Sequence, residues 1–384
     1  MDFTKVKVFV LDGGGRQTLT MLHGLKEIGC KVAVLCSSKS NVCYVSNIPD
    51  EKIVYNGKLY TEEYHSFIMG LLSSHKYDVL MPIGDASTEY VTSHEEELKK
   101  FVRLACASKS AFDKASNKQI TLETAIRLGI PCSNTRLDGQ DIKEYLKSAC
   151  FPIIIKPRKG TGSIGFHKFN TEEEFWEIVS KEKINIDEYV IQEFVDHERR
   201  HGTYIFIDQN GKVKSSLASE VIRWYPIDAG TSTVSMSVDD PLVIEYAGKL
   251  LAEIGWQGFA NVGFMIEKST GNPKLLEING RIPAPMKLTW MCGINASKQF
   301  IEMVYGEEVT DYGNNTRFGM MARHFQADFM WFLKSPDRFR AKPSWFSWKN
   351  TSDLVYWKGD LKPAIIYTFH ALSEYGEFMK KRKR

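Results

Sequence analysis

Short apolar runs alternating with amphipathic stretches organise the first 110 residues. Residues 6–11 (VKVFVL), 31–36 (KVAVLC) and 78–83 (DVLMPI) are apolar runs of strand length, as expected of strands covered on both faces. Helical spacing occupies 17–28 and 85–103. Strands alternating with helices predict a parallel α/β sheet with helices on both faces. The turn Asp12-Gly13-Gly14-Gly15 follows the first strand. It does not complete G-x-G-x-x-G, because Thr18 takes the last glycine position and no acid ends the second strand. It therefore reads as a structural turn or a substrate-facing edge rather than a dinucleotide site.

From about 110 the pattern becomes α+β. Residues 108–131 (SKSAFDKASNKQITLETAIRLGIP) read as one helix stopped by Gly129 and Pro131. Strands follow at 151–156 and 166–169, a helix at 171–181 and a strand at 189–195. Residues 203–207 and 212–219 predict a hairpin about Asn210-Gly211. A helix at 240–254, strands at 259–267 and 273–279, and a helix at 294–305 complete the block. The last 70 residues differ again. Four of the eight tryptophans lie between 331 and 357, among Lys334, Arg338, Arg340, Lys342 and Lys349, and the chain ends KKRKR at 380–384. Two readings fit this segment. It is a small capping subdomain followed by a disordered basic tail, or it meets a membrane interface or a polyanion.

Composition narrows the class. A hydrophobic fraction of 43% and a charged fraction of 25% over 384 residues suit a soluble chain of two or three domains. A net charge of +3 is too small to imply nucleic-acid binding. The seven cysteines include no C-x-x-C pair, which argues against a disulfide framework or zinc site and fits a reducing cytoplasm. The amino terminus, MDFTKVKVFVLDGGG, lacks signal-peptide features. No apolar run nears the ~18 residues of a membrane span. The nine histidines show no metal-ligand spacing, and His201, His324 and His370 read as ordinary polar or packing residues.

Residues 151–165, FPIIIKPRKGTGSIG, concentrate the candidate chemistry. Lys156 ends a buried strand, where an ammonium needs an anionic partner. Gly160, Thr161, Gly162, Ser163 and Gly165 form a loop whose backbone N–H groups can turn onto phosphate oxygens. It is not a Walker A loop, and a flexible hairpin tip is the alternative. Gln192, Glu193, Phe194 and Val195 close another apolar strand, which can offer a carbonyl and an N–H to an adenine edge or be plain strand backbone. In LLEINGR (275–281), Glu277 and Asn279 alternate on one strand face. A carboxylate and an amide oxygen at that spacing suit Mg²⁺ shared with phosphates, and Arg281 follows on the same parity as a phosphate clamp.

Taken in order, the Asp113-Lys114 helix, IIIKP, GTGSIG, QEFV and LEINGR resemble the ATP-grasp superfamily. The likeness is nearest to carboxylate–amine ligases related to the carbamoyl-phosphate synthase large chain. The resemblance implies a parallel α/β pre-ATP-grasp domain (1–110), a two-subdomain ATP-grasp fold (111–310; lid about 115–190, catalytic part about 191–310) and a C-terminal extension (311–384). Lys114 and Lys156 would contact the ATP phosphates, the 160–165 loop would close over them, and Glu193 and Val195 would hold adenine through their backbone. Glu198 would bind ribose, and Glu277 and Asn279 would bind Mg²⁺, or Mn²⁺ in its place. Arg281 and Arg223 would stabilise the transferring phosphoryl group, and Gly230-Thr231-Ser232 would sit near it. Gly263 stands where the family carries a first metal acid. Either Glu267, two alternations on, replaces that acid, or one metal site is weaker.

The expected activity is a cytosolic ligase that activates a carboxylate as an acylphosphate and joins it to an amine. The carboxylate is an amino acid, a peptide or a glycan acid. The alternatives are a bicarbonate or carbamate kinase and a nucleotide-binding regulator without turnover. Asp85 is a candidate for the substrate cleft, and a homodimer is the family habit.

Overall fold

The apolar runs of the first 110 residues pair side by side. In the computed structural model, which describes residues 2–160, 164–227 and 230–369, Lys7–Val10 is central in a five-stranded sheet. The spatial order is Glu51–Val54, Lys31–Cys36, Lys7–Val10, Val79–Met81, Arg103–Leu104, and all neighbours are parallel. The order of successive strands switches sides between Lys7–Val10 and Val79–Met81, although the strands themselves stay parallel. A crevice beyond the carboxyl ends of such strands is where α/β sheets place ligands. Asp12 closes this crevice with a positive φ of 62°. Its Oδ2 accepts the N–H groups of Ile83 (3.2 Å) and Gly84 (2.8 Å) and the Ser87 hydroxyl. Gly13 is structural: a Cβ there would lie 2.3 Å from Cys36 Sγ.

The structure departs from the pattern at four places. Glu51–Val54 is a four-residue edge strand that opens with two charged residues and has no fully buried position, which hid it; the Thr61-capped helix Glu62–Leu72 after it is a further element the pattern did not yield. The helix expected over 85–103 breaks at His94, whose backbone leaves helical space, into Asp85–Ser93 and Glu95–Leu98. The helix expected over 108–129 divides at Asn117. Its side chain accepts from Gln119 N and Ile120 N and so starts a new helix, Lys118–Arg127, after Lys109–Ser116.

Two further sheets follow. The smaller is antiparallel and three-stranded, His167–Phe169, Ile153–Pro157, Tyr189–Glu193. Ile153, Ile155, Phe169 and Ile191 pack on Tyr145 and Phe175 from its helices. The larger runs Pro273–Asn279, Gly258–Glu267, His197–Ile207, Val213–Tyr225, Thr231–Val238, Met321–Arg323, Thr351–Asp353. Its last two strands come from the final segment, so this segment extends the sheet. Trp331 and Trp357 are buried, and Trp345 lies 4.5 Å from the Arg323 guanidinium.

One carboxylate holds that extension in place. Asp328, fully buried, accepts from Arg223 Nε (2.7 Å) and Nη2 (3.1 Å) and lies 2.7 Å from Arg323 Nε. Removing it would leave two guanidinium groups buried without an anion. Asp328→Ala is therefore expected to cost ~3–5 kcal/mol, read as a lower urea midpoint with an unchanged slope.

Candidate active site

Alternation along Ile153–Pro157 sends Ile153 and Ile155 into the small core and Lys156 to the opposite face. There the side chain meets the large sheet. Lys156 Nζ donates to Leu276 O at 3.2 Å, beside Glu277. Burial pushes the Lys156 ammonium down to about 8; Glu277 opposes that shift, and Lys118 adds to it. Two cations and a carboxylate from three different elements thus share one cleft.

The line continues along the strand that carries Glu277. Asn279 Nδ2 lies 3.3 Å from Glu277 Oε1 and 3.4 Å from Asn261 Oδ1. Arg281 Nη2 donates to Asn279 Oδ1 (3.3 Å) and Arg281 Nε to Asp85 Oδ2 (3.0 Å). Asp85 opens the helix at the crevice of the parallel sheet. The polar row therefore runs from the small sheet, across the edge of the large one, to the switch point of the third.

Three members of this region were not legible in the motif reading. Lys118 Nζ reaches Gly160 O at 2.7 Å, whereas Lys114 is exposed at the end of its own helix. The missed signal was Asn117-Lys118, a cap followed by a lysine, concealed by treating 108–129 as one helix. Asn261 stands opposite Asn279 on the neighbouring strand. Arg200 lies two residues from Gly202, which faces Gly263, so it shares the face of Glu277. Its guanidinium sits 4.7 Å from the Trp224 ring and donates to Gly230 O (3.3 Å). Among the described residues no carboxylate pairs with it, and burial lowers its proton affinity.

Three expected residues fall elsewhere. Arg223 is not a phosphate contact: Asp328 and Pro343 O take its donors, and it lies 5.2 Å from the Trp331 ring. Glu267 does not replace the missing acid. It accepts from Thr270 Oγ1 (2.6 Å) and faces Lys274 (3.8 Å), four residues or ~13 Å along the strand from Gly263. Glu198 is exposed and its carboxylate is taken by Lys268 at 3.1 Å. Gly263 itself is not crowded; a Cβ there meets nothing nearer than 3.8 Å.

The strand end at 192–195 shows a mixed picture. Gln192 Nε2 is spent on Thr135 Oγ1 (2.8 Å). Glu193 N donates to Asn134 O and Phe194 N to Pro152 O, while Glu193 O accepts from Ser133 Oγ (2.6 Å). The Phe194 ring lies under Lys168 Nζ at 3.6 Å. Val195 is buried, and its N–H has no partner among the described residues. Gly160 and Gly165 take positive φ of 123° and 73°, which glycine alone adopts at little cost. Thr161, Gly162 and Ser163, the loop tip, lie outside the described residues, as does His370. His201 is a packing residue, 2.6 Å from Asp240 Oδ2, and His324 lies 3.3 Å from the Tyr367 hydroxyl.

No group of three His, Cys, Asp or Glu side chains able to hold a metal occurs among the described residues. Glu277 with the amide oxygens of Asn279 and Asn261 is instead a sparse oxygen set. That suits a hard cation whose remaining ligands come from phosphates and water.

Comparison with known proteins bears on the fold that carries these residues. A biotin carboxylase from Campylobacter jejuni, solved with β-γ-ATP, superposes with a TM-score of 0.66 over 80% of this chain and 72% of its own, at 19% identity. The chain has the ATP-grasp fold. A family model described as "ATP-grasp in the biosynthetic pathway with Ter operon" matches residues 212–327. D-aspartate ligase of Enterococcus faecium is 23% identical over 267 residues, 62% of this chain and 63% of that one. The carbamoyl phosphate synthase large chain of a Thermotoga species is 24% identical over 277 residues, 68% of this chain but 25% of that one. The chain thus spans under two thirds of the length of these relatives. The superfamily resemblance drawn from the ordered motifs holds.

Lys156 gives this ATP-grasp cleft a pH signature. Below pH ~8 the folded and unfolded chains both carry the proton, and the desolvation cost is complete. Between about 8 and the ordinary lysine value of 10.5 the folded state has released it while the unfolded state keeps it, so stability rises with pH. Comparing the wild type with Lys156→Met by urea unfolding from pH 7 to 10, the stability advantage of the variant should shrink as pH rises. A constant difference contradicts the buried-ammonium reading.

Proposed function

We propose that the chain is an ATP- and Mg²⁺-dependent ligase that joins a carboxylate to an amine. The observation that carries this reading is the single polar row from Lys118 and Lys156 through Glu277, Asn279 and Arg281 to Asp85. Cations sit at one end, an oxygen set in the middle, and an arginine at the entrance to a second crevice. Phosphoryl transfer to a carboxylate brings anions together, and fixed cations offset that repulsion best where water is excluded.

In this assignment Lys118 and Lys156 hold the nucleotide phosphates, and Gly160 and Gly165, both at positive φ, bound the glycine-rich segment assigned to cover them. Glu193 O and Val195 N take the adenine edge. Glu277, with Asn279 and Asn261, would hold Mg²⁺, which would supply charge neutralisation on the phosphates. Arg200 replaces Arg223 as the second basic contact. Arg281, held by Asp85, orients the acceptor carboxylate and stabilises charge on it as the acylphosphate forms. The amine then displaces phosphate, and exclusion of water protects that intermediate from hydrolysis. The substrates would enter by the crevice at Asp12, Gly84 and Asp85. An amino-acid pair is the first choice, since the relatives matched include a D-aspartate ligase.

The test is release of phosphate from ATP and Mg²⁺ across a panel of carboxylates paired with amines. Turnover that requires one acid and one amine together is expected, with Glu277→Gln lowering it at least ~10³-fold while ATP still binds. Turnover with bicarbonate alone would move the assignment to the carbamoyl-phosphate type. ATP binding without turnover on the full panel would favour a regulator, for which Gly263 is the structural motive. Because the site has room at Gly263, Gly263→Glu should fold normally and raise apparent Mg²⁺ affinity about tenfold, measured by the Mg²⁺ dependence of ATP binding.

A further inference from the structure

We propose that the C-terminal extension docks this protein on an anionic lipid bilayer through a phenylalanine patch ringed by lysine and arginine. The extension buries Trp331 and Trp357 to hold itself to the core, but it leaves other large rings outside. Phe339 is 72% exposed, Phe346 62% and Trp348 49%, and Leu333 is half-exposed beside them. These rings form one surface. Phe332 packs against Phe339 and Phe346 with centroids 5.5 and 5.6 Å away, and against Trp345 at 4.5 Å. Trp348 adjoins Phe325 at 6.0 Å, and beside it opens a mainly apolar recess of about 470 Å³ that includes Tyr356 and Ala364. Exposed apolar clusters of this extent mark interaction surfaces.

Charge selects the occupant. Residues 329–349 carry Lys334, Arg338, Arg340, Lys342 and Lys349 against the single acid Asp337. All of these basic residues except Arg338 are exposed, and Arg338 lies 5.3 Å from the Phe339 ring. A second copy of the chain is disfavoured, because a two-fold pairing would set this basic rim against itself. Rings that enter the acyl boundary, with lysine and arginine at headgroup level, match the interface of a negatively charged bilayer. The sequence adds KKRKR at 380–384, outside the described residues, in the same sense. No helix among the described residues is long and apolar enough to cross a membrane, so the contact is peripheral.

The experiment is vesicle flotation of the full chain with phosphatidylcholine alone or with 30% phosphatidylglycerol (~30%, enough for a strongly negative surface). Binding should be about a hundredfold tighter on the anionic vesicles, as expected from several basic residues near the surface, and should fall steeply with salt. The exposed double variant Phe339→Ser/Phe346→Ser should lose most of it with an unchanged circular dichroism spectrum. Lys342→Glu/Lys349→Glu should lose about tenfold on anionic vesicles only. Equal affinity for neutral vesicles, no flotation, or unchanged flotation of the double serine variant would overturn the proposal. So would a dimer in solution that the serine variant abolishes, since that would assign the patch to a second copy.

Discussion

A buried ammonium between two sheets organises the site. Lys156 leaves the three-stranded sheet, reaches the backbone of Leu276 on the large sheet, and stops beside Glu277. Desolvation of the cation is unfavourable, and one carboxylate at this range offsets it only in part, as the lowered proton affinity records. Lys118 worsens the imbalance. A cleft with more positive charge than the chain itself neutralises is set up to receive a polyanion.

The other polar contacts fix the surroundings of that site. Asp85 and Arg281 tie the crevice of the parallel sheet to the strand that carries Glu277 and Asn279. Asp328 draws Arg223 and Arg323 inward, so the final segment adds two strands to the large sheet. Asp360 accepts from Ser46 Oγ (2.5 Å) and Asn47 N (3.1 Å), which returns the end of the described chain to the parallel sheet. Arg223 therefore illustrates two competing uses of one cation. Its sequence setting suggested a phosphate contact, but a buried aspartate from 105 residues away claims it.

What could be read in advance followed periodicity and covalent neighbourhood. The apolar runs located the central strands to within a residue or two, and Ile-Ile-Ile-Lys placed a lysine at a buried strand end. Glu277, Asn279 and Arg281 were legible because strand alternation fixes their common face. Lys118 was not, because capping by Asn117 is a two-residue event inside an otherwise continuous helical pattern. Partners remote in sequence escaped as well: Asp328 for Arg223 and Lys268 for Glu198 depend on tertiary packing, whereas Glu267 is taken by Thr270 of its own turn. The aromatic extension was half legible. Its tryptophans drew attention, yet most of them are packed inward, and the exposed rings are chiefly phenylalanines.

The most direct test of the cleft is a calorimetric titration of the protein with Mg²⁺ and ATP at pH 8, in two buffers with different ionisation heats. Burial brings the Lys156 ammonium down to about 8, so it titrates in this range, and a polyphosphate favours the charged form. The account predicts binding accompanied by net proton uptake, with the uptake lost in Lys156→Met. Binding with no proton uptake, or with proton release, would contradict the placement of the phosphates at Lys156.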